Sequence, residues 1–109
     1  MIQPAQLDEL KRICTDAQVE SEAGTDYIVL PDLKVVTGEQ ERILTGLLCP
    51  TQHGGYSTRL FLSEKIPERG QNWTLHYIAS RNWHVCSWNN VPSNLTLVQM
   101  LSAHLKALR

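Results

Sequence analysis

The chain has 109 residues, of which 42% are hydrophobic and 19% charged, and its formal net charge is −1. That length holds one core and so one domain, 1–109, and the apolar content excludes a disordered chain. Near-neutral charge gives no pull toward nucleic acid or an anionic membrane, and no apolar run approaches the ~18 residues of a membrane span.

Residues 4–19 are expected to form the first helix. Pro4 suits a first-turn position. Leu7, Leu10, Ile13, Cys14 and Ala17 recur at three- and four-residue spacing to give one apolar face, and Asp8 and Arg12 are spaced to pair along it. Cys14 falls on the apolar face and reads as a packed residue. Ser21-Glu-Ala-Gly-Thr-Asp26 is a turn.

Four strand-like segments follow. Residues 27–36 are β-rich but interrupted by Pro31-Asp32, which suggests two short pieces or an edge strand. Residues 41–49 are apolar with Gly46 inside, which predicts a bulge or kink. In 56–62, Thr58, Leu60 and Leu62 alternate with Arg59 and Phe61. In 73–78, Trp73, Leu75 and Tyr77 alternate with Thr74, His76 and Ile78. Gly and Pro mark turns at 49–55 and 64–71.

The last helix is expected over 94–108. Asn94 is a plausible N-cap, and Thr96 with Gln99 offers a capping box as the alternative start. Leu97, Leu101, Leu105 and Leu108 make its stripe, widened by Val98 and Met100. A helix, an antiparallel meander and a second helix predict an α+β layer arrangement.

Cys14, Cys49 and Cys86 are odd in number and far apart, which points to reduced thiols rather than a disulfide framework. Met1-Ile-Gln-Pro-Ala-Gln is no signal peptide, so a cytoplasmic location is expected. The segment Arg81-Asn-Trp-His-Val-Cys86-Ser-Trp-Asn-Asn-Val-Pro-Ser-Asn94 sets one cysteine among Trp and His, just before an amphipathic helix. Leu95-Thr-Leu-Val-Gln-Met-Leu101 opens that helix. Residues 81–108 resemble the ubiquitin-conjugating (E2) enzymes, in particular the small E2-like proteins of bacterial ubiquitin-like operons implicated in phage defence.

That resemblance implies a UBC-like (E2) fold: an N-terminal helix, an antiparallel meander sheet and a C-terminal helix. It makes Cys86 the thioester-forming nucleophile. Cys86 would accept a ubiquitin-like protein from an E1-like adenylating enzyme and pass it to an amine on a target protein, with no cofactor of its own. In E2s a His-Pro-Asn tripeptide before the cysteine supplies the oxyanion donor. It is absent here, and His76-Tyr77-Ile78 stands in the comparable place. Asn82 is the first candidate for the missing donor, with Asn89 and Asn90 behind it, and His84 is a candidate base or orienter. The polar face including Asp8, Lys11 and Arg12 would contact the E1-like partner.

Other readings of the same residues stay open. Cys86 packed between Trp83 and Trp88 would suit a non-catalytic adaptor that binds a ubiquitin-like protein or its E1. His84-x-Cys86, with His53, His76 and Cys49, sketches a metal site without the short paired spacings zinc prefers. His53-Gly54-Gly55 reads as a turn, His104 as structural. Trp73, Trp83 and Trp88 read as core or as an interface rim.

Overall fold

The computed structural model describes residues 2–51, 56–66, 73–86 and 91–108. A short helix α1 (Pro4–Leu10) leads into six strands: β1 (Gln18–Glu22), β2 (Thr25–Thr37), β3 (Gln40–Cys49), β4 (Arg59–Leu62), β5 (Thr74–Ile78) and β6 (Arg81–Val85). Helix α2 (Leu97–Ala107) closes the chain. The strands form one antiparallel sheet in the order β1-β2-β3-β4-β6-β5.

This corrects the expected α+β, UBC-like plan with its four-segment meander. The protein is mostly β, a six-stranded antiparallel sheet with one short helix at each end of the chain. Three local events account for the difference. The first helix stops at Leu10 rather than 19: the chain continues in tighter turns, Arg12 to Glu9, Ile13 to Leu10 and Ala17 to Cys14, while buried Cys14 gives its thiol to the Pro31 carbonyl, 3.0 Å away. Ile13, placed on the apolar face by its spacing, is 56% exposed.

Residues 18–22 then pair with 25–29 across a two-residue loop, Ala23-Gly24, whose φ values of 50° and 80° give the twist that right-handed strands require. A second loop of the same kind, Ala79-Ser80 (φ 51° and 64°), turns the chain back after Ile78. Its return strand, β6, inserts between β4 and β5, so the order is no longer a simple meander.

The bulge expected in β3 lies in its partner. Leu30 pairs with Gly46 and Leu33 with Leu44, so Pro31 and Asp32 together face Thr45. Asp32 takes φ 55° and Pro31 donates nothing, while the Thr45 amide bonds to the Ser63 hydroxyl instead. Gly46 lies close beneath this bulge: a Cβ there would sit 2.8 Å from Leu33 Cδ2 and push that side-chain end aside.

The sheet has two buried faces. On the first, Ile28, Leu30, Leu33, Leu44, Leu48, Leu60 and Leu62 meet Leu10 of α1 and Leu97, Met100 and Leu101 of α2. On the second, Tyr27, Leu47, Cys49, Phe61, Ile78, Trp83 and Val85 pack together with no helical residue among them. The alternation read in 56–62 is thus met, Leu60 and Leu62 on one face and Phe61 on the other.

The second face is sealed by curling. The Ala79 amide in the β5–β6 loop donates to the Glu22 carboxylate at the end of β1, 3.1 Å away and 57 positions earlier. The helices do not reach β5, whose Leu75 and Tyr77 stay 59% and 68% exposed. No described helix is long and apolar enough to cross a membrane.

Helix α2 starts at the Thr96 cap. Thr96 Oγ1 accepts from the Gln99 amide and the Gln99 side chain accepts from the Thr96 amide, which is the capping box and not the Asn94 start. Gln6 of α1 adds a third tie, accepting from the Leu97 amide at 3.1 Å.

Candidate functional site

Cys86 follows directly on β6, whose pairing fixes which residues lie beside it. His84 sits opposite Leu62 of β4 and Leu75 of β5, on the helix-covered face, and alternation puts Asn82 and Cys86 on that face too. Cys86 packs half-buried against the first core and lines a void of about 10 Å³ together with Arg59, Leu60, Val85, His104, Ala107 and Leu108.

The other two cysteines are buried and committed. Cys14 donates to the Pro31 carbonyl and Cys49 to the Thr51 carbonyl at 3.3 Å. Of the three thiols, Cys86 is therefore the one a second molecule can approach. Burial pushes its pKa up, and the positive charge of Arg59 pulls the other way with less effect.

The residues proposed to serve it are placed unequally. His84 is two residues away on the same face and half-buried. Asn82 is exposed on β6, not in a loop, and four strand residues put it about 13 Å from Cys86 at 3.3 Å per residue. His76 pairs with Trp83 and so lies on the opposite face. There its ring meets Phe61 edge-on at 5.6 Å and its Nε2 lies 3.1 Å from Thr74 Oγ1. Burial lowers the His76 pKa, and Arg59 adds to the effect.

Asp8, Lys11 and Arg12 are exposed at α1 and its C-terminal end, as a partner surface requires. The Asp8–Arg12 pair is not formed, since α1 ends before Arg12; the ion pair among the described residues is Lys34–Glu41 at 3.2 Å. His53, Gly54, Gly55, Trp88, Asn89 and Asn90 lie outside the described residues. Among the described residues no three His, Cys, Asp or Glu side chains gather to hold a metal.

Two polar residues beneath the site gave no sequence signal. The Thr58 hydroxyl donates to the Val91 carbonyl at 2.9 Å and contacts His104 Nε2 at 2.8 Å. A hydroxyl has one proton, already given to Val91, so Nε2 carries the hydrogen of neutral His104. Burial first, and the charge of Arg59 second, hold the His104 pKa down at about 4. Thr58, at the entry to β4, is thereby tied both to His104 of α2 and to Val91. Arg59, the other residue, is buried within the sheet.

A cavity of about 310 Å³ opens near the N-terminal end of α2 among Gln3, Gln6, Asp26, Pro50, Ser93 and Leu97, and none of the described residues lining it is a cysteine or histidine. Comparison with known proteins finds no matching family, no matching curated protein and no matching solved structure.

Proposed function

We propose that the chain is a conjugating protein that carries a ubiquitin-like protein as a thioester on Cys86. The observation behind this reading is that Cys86 alone among the three cysteines is partly exposed. It stands at a strand end that leads toward a capped amphipathic helix, within the segment that resembles the E2 enzymes. The reading rests on that segment and that thiol, not on the overall fold.

In the proposed reaction the Cys86 thiolate attacks the carbonyl carbon of the thioester held by an E1-like enzyme, and the E1 thiolate departs. A target amine then attacks the new thioester, the Cys86 sulfur leaves, and the amine loses its proton. His84 is the described residue best placed to orient or deprotonate near the sulfur. A raised thiol pKa keeps the thiolate scarce but makes it a stronger nucleophile once formed. The exposed Asp8, Lys11 and Arg12 are the surface offered to the E1-like partner.

One observation favours a second reading, an adaptor that binds the ubiquitin-like protein or its E1 without chemistry: Cys86 packs on the main core and burial raises its pKa. Incubation with ATP, an E1-like enzyme and a ubiquitin-like protein separates the two. Carrier chemistry gives a gel band that reductant removes, that Cys86→Ala loses, and that Cys14→Ala and Cys49→Ala keep. If the E1 charges itself and no such band forms, the adaptor stands.

A further inference from the structure

The sheet has two open edges, the outer sides of β1 and β5, with no strand beyond either among the described residues. An open edge presents unpaired amides and carbonyls, and it pairs with another chain unless charge, proline or a bulge protects it. β1 is protected: it reads Gln18-Val-Glu-Ser-Glu22, exposed along its length, with Glu20 at its centre. β5, Thr74-Leu-His-Tyr-Ile78, has no Asp, Glu, Lys, Arg or Pro, and its register with β6 runs unbroken. Leu75 and Tyr77 stand 59% and 68% exposed on it. Burial and the charge of Arg59 lower the His76 pKa, so that ring is uncharged at neutral pH.

The Ala79-Ser80 loop fixes which backbone groups point outward. Across a two-residue loop with both φ values positive, the flanking Ile78 and Arg81 bond to each other, and the direction then alternates along the strand. Ile78, His76 and Thr74 therefore turn their amides and carbonyls toward β6, while Tyr77 and Leu75 turn theirs toward the open edge. A two-fold antiparallel pairing centred on His76 sets Leu75 opposite Tyr77 of a second copy, and Tyr77 opposite its Leu75. The outward groups of both residues are then satisfied. Their side chains, on the helix-side face with His84, close into one aromatic and aliphatic cluster. The same operation on β1 sets Glu20 against Glu20 of the copy, like charge opposite like charge.

We propose that β5 is a self-pairing edge through which two copies of this chain join, about a two-fold axis, into one continuous sheet. The interface is isologous, so the pairing closes at two and leaves both β1 edges outermost. Two five-residue strands bury less than the ~1,200 Å² of a standard stable interface, so the dimer forms in the high-micromolar range and is not permanent.

Sedimentation velocity of the intact protein at neutral pH, from about 10 μM to about 1 mM, tests the pairing, with amide exchange followed by NMR at both ends of that range. The expected result is a monomer–dimer equilibrium in which the Leu75 and Tyr77 amides exchange more slowly at the high concentration, while those of Val19 and Ser21 do not change. Tyr77→Lys, at an exposed side chain, alters two symmetry-related pairs and should weaken dimerisation about tenfold. Val19→Lys, on the other edge, should leave it unchanged. A monomer throughout, a dimer that protects β1 instead, or assemblies that grow past the dimer overturn the proposal. So does a dimer that Tyr77→Lys leaves at full strength.

Discussion

The two faces of this sheet are sealed by different means. The first is covered by helices, and its interior includes a polar lock in which Thr58 joins the Val91 carbonyl to His104 of α2. The second has no helix. It is closed by its own curl, by Trp83 and Phe61, and by two arginines laid on aromatic rings, Arg59 on Tyr56 and Arg81 on Trp83 at 5.0 Å. A small sheet can thus bury both sides with only two short helices when one side relies on large rings.

The sharpest way to break that comparison is to remove the ring at the centre of the second face. Trp83 is fully buried, and its Nε1 donates to the Ile78 carbonyl at 2.9 Å. Trp83→Ala should cost about 4 kcal/mol in denaturant unfolding, as truncations in a true core do. A loss below about 1 kcal/mol would mean that the second face is a covered surface and not a core.

The polar lock predicts a pH response carried chiefly by His104, since His76 on the second face is lowered in the same direction but without so large a shift. The His104 pKa falls from its ordinary 6.5 to about 4 in the folded chain. Above pH 6.5 the ring is neutral both folded and unfolded, and its depressed pKa costs nothing. Below that the unfolded chain takes up the proton first, so stability falls as pH drops from 6.5 toward 4, by on the order of 3 kcal/mol. His104→Gln should flatten that slope in a pH series of unfolding curves. A wild-type slope unchanged by the variant would place the titration elsewhere.

The smallest expected effect concerns the two positive-φ loops. Ala23-Gly24 relies on glycine at its second position, whereas Ala79-Ser80 holds both residues in the left-handed region with side chains attached. Ser80→Gly should therefore raise stability by up to about 1 kcal/mol, and Gly24→Ala lower it by a similar amount. Thermal melts of the pair would show it; shifts of the same sign would defeat the argument.

These same loops explain what the sequence hid. Gly24 flagged the first turn, but nothing in Tyr-Ile-Ala-Ser-Arg marks the second, so 73–86 reads as one continuing path and not as a hairpin. The first helix was overextended because Ile13, Cys14 and Ala17 keep helical spacing while the backbone spends those residues on a turn. Where local chemistry is strong the sequence was sufficient. The Thr96–Gln99 box and the alternation around Phe61 stand, whereas Pro31-Asp32 marks a bulge within one continuous strand and not a division into two pieces or an edge strand. The surroundings of Cys86 were less legible, because the face a strand residue occupies depends on register: His84 joins the thiol, His76 lands behind the sheet. Buried Arg59 carries no local signal at all, since an arginine in an alternating strand normally faces water.

The ladders of this sheet are of unequal strength. β2 and β3 match over eight residue pairs, whereas β4 meets β6 at the single pair Leu62–His84. A sheet opens most cheaply along its shortest ladder, so the β5–β6 hairpin is the unit that detaches first, as one flap. Cys86 lies at the free end of that seam. Its accessibility is then governed by the frequency of opening as much as by static exposure, and amide exchange across 74–85 would rise and fall with the rate at which the thiol is alkylated.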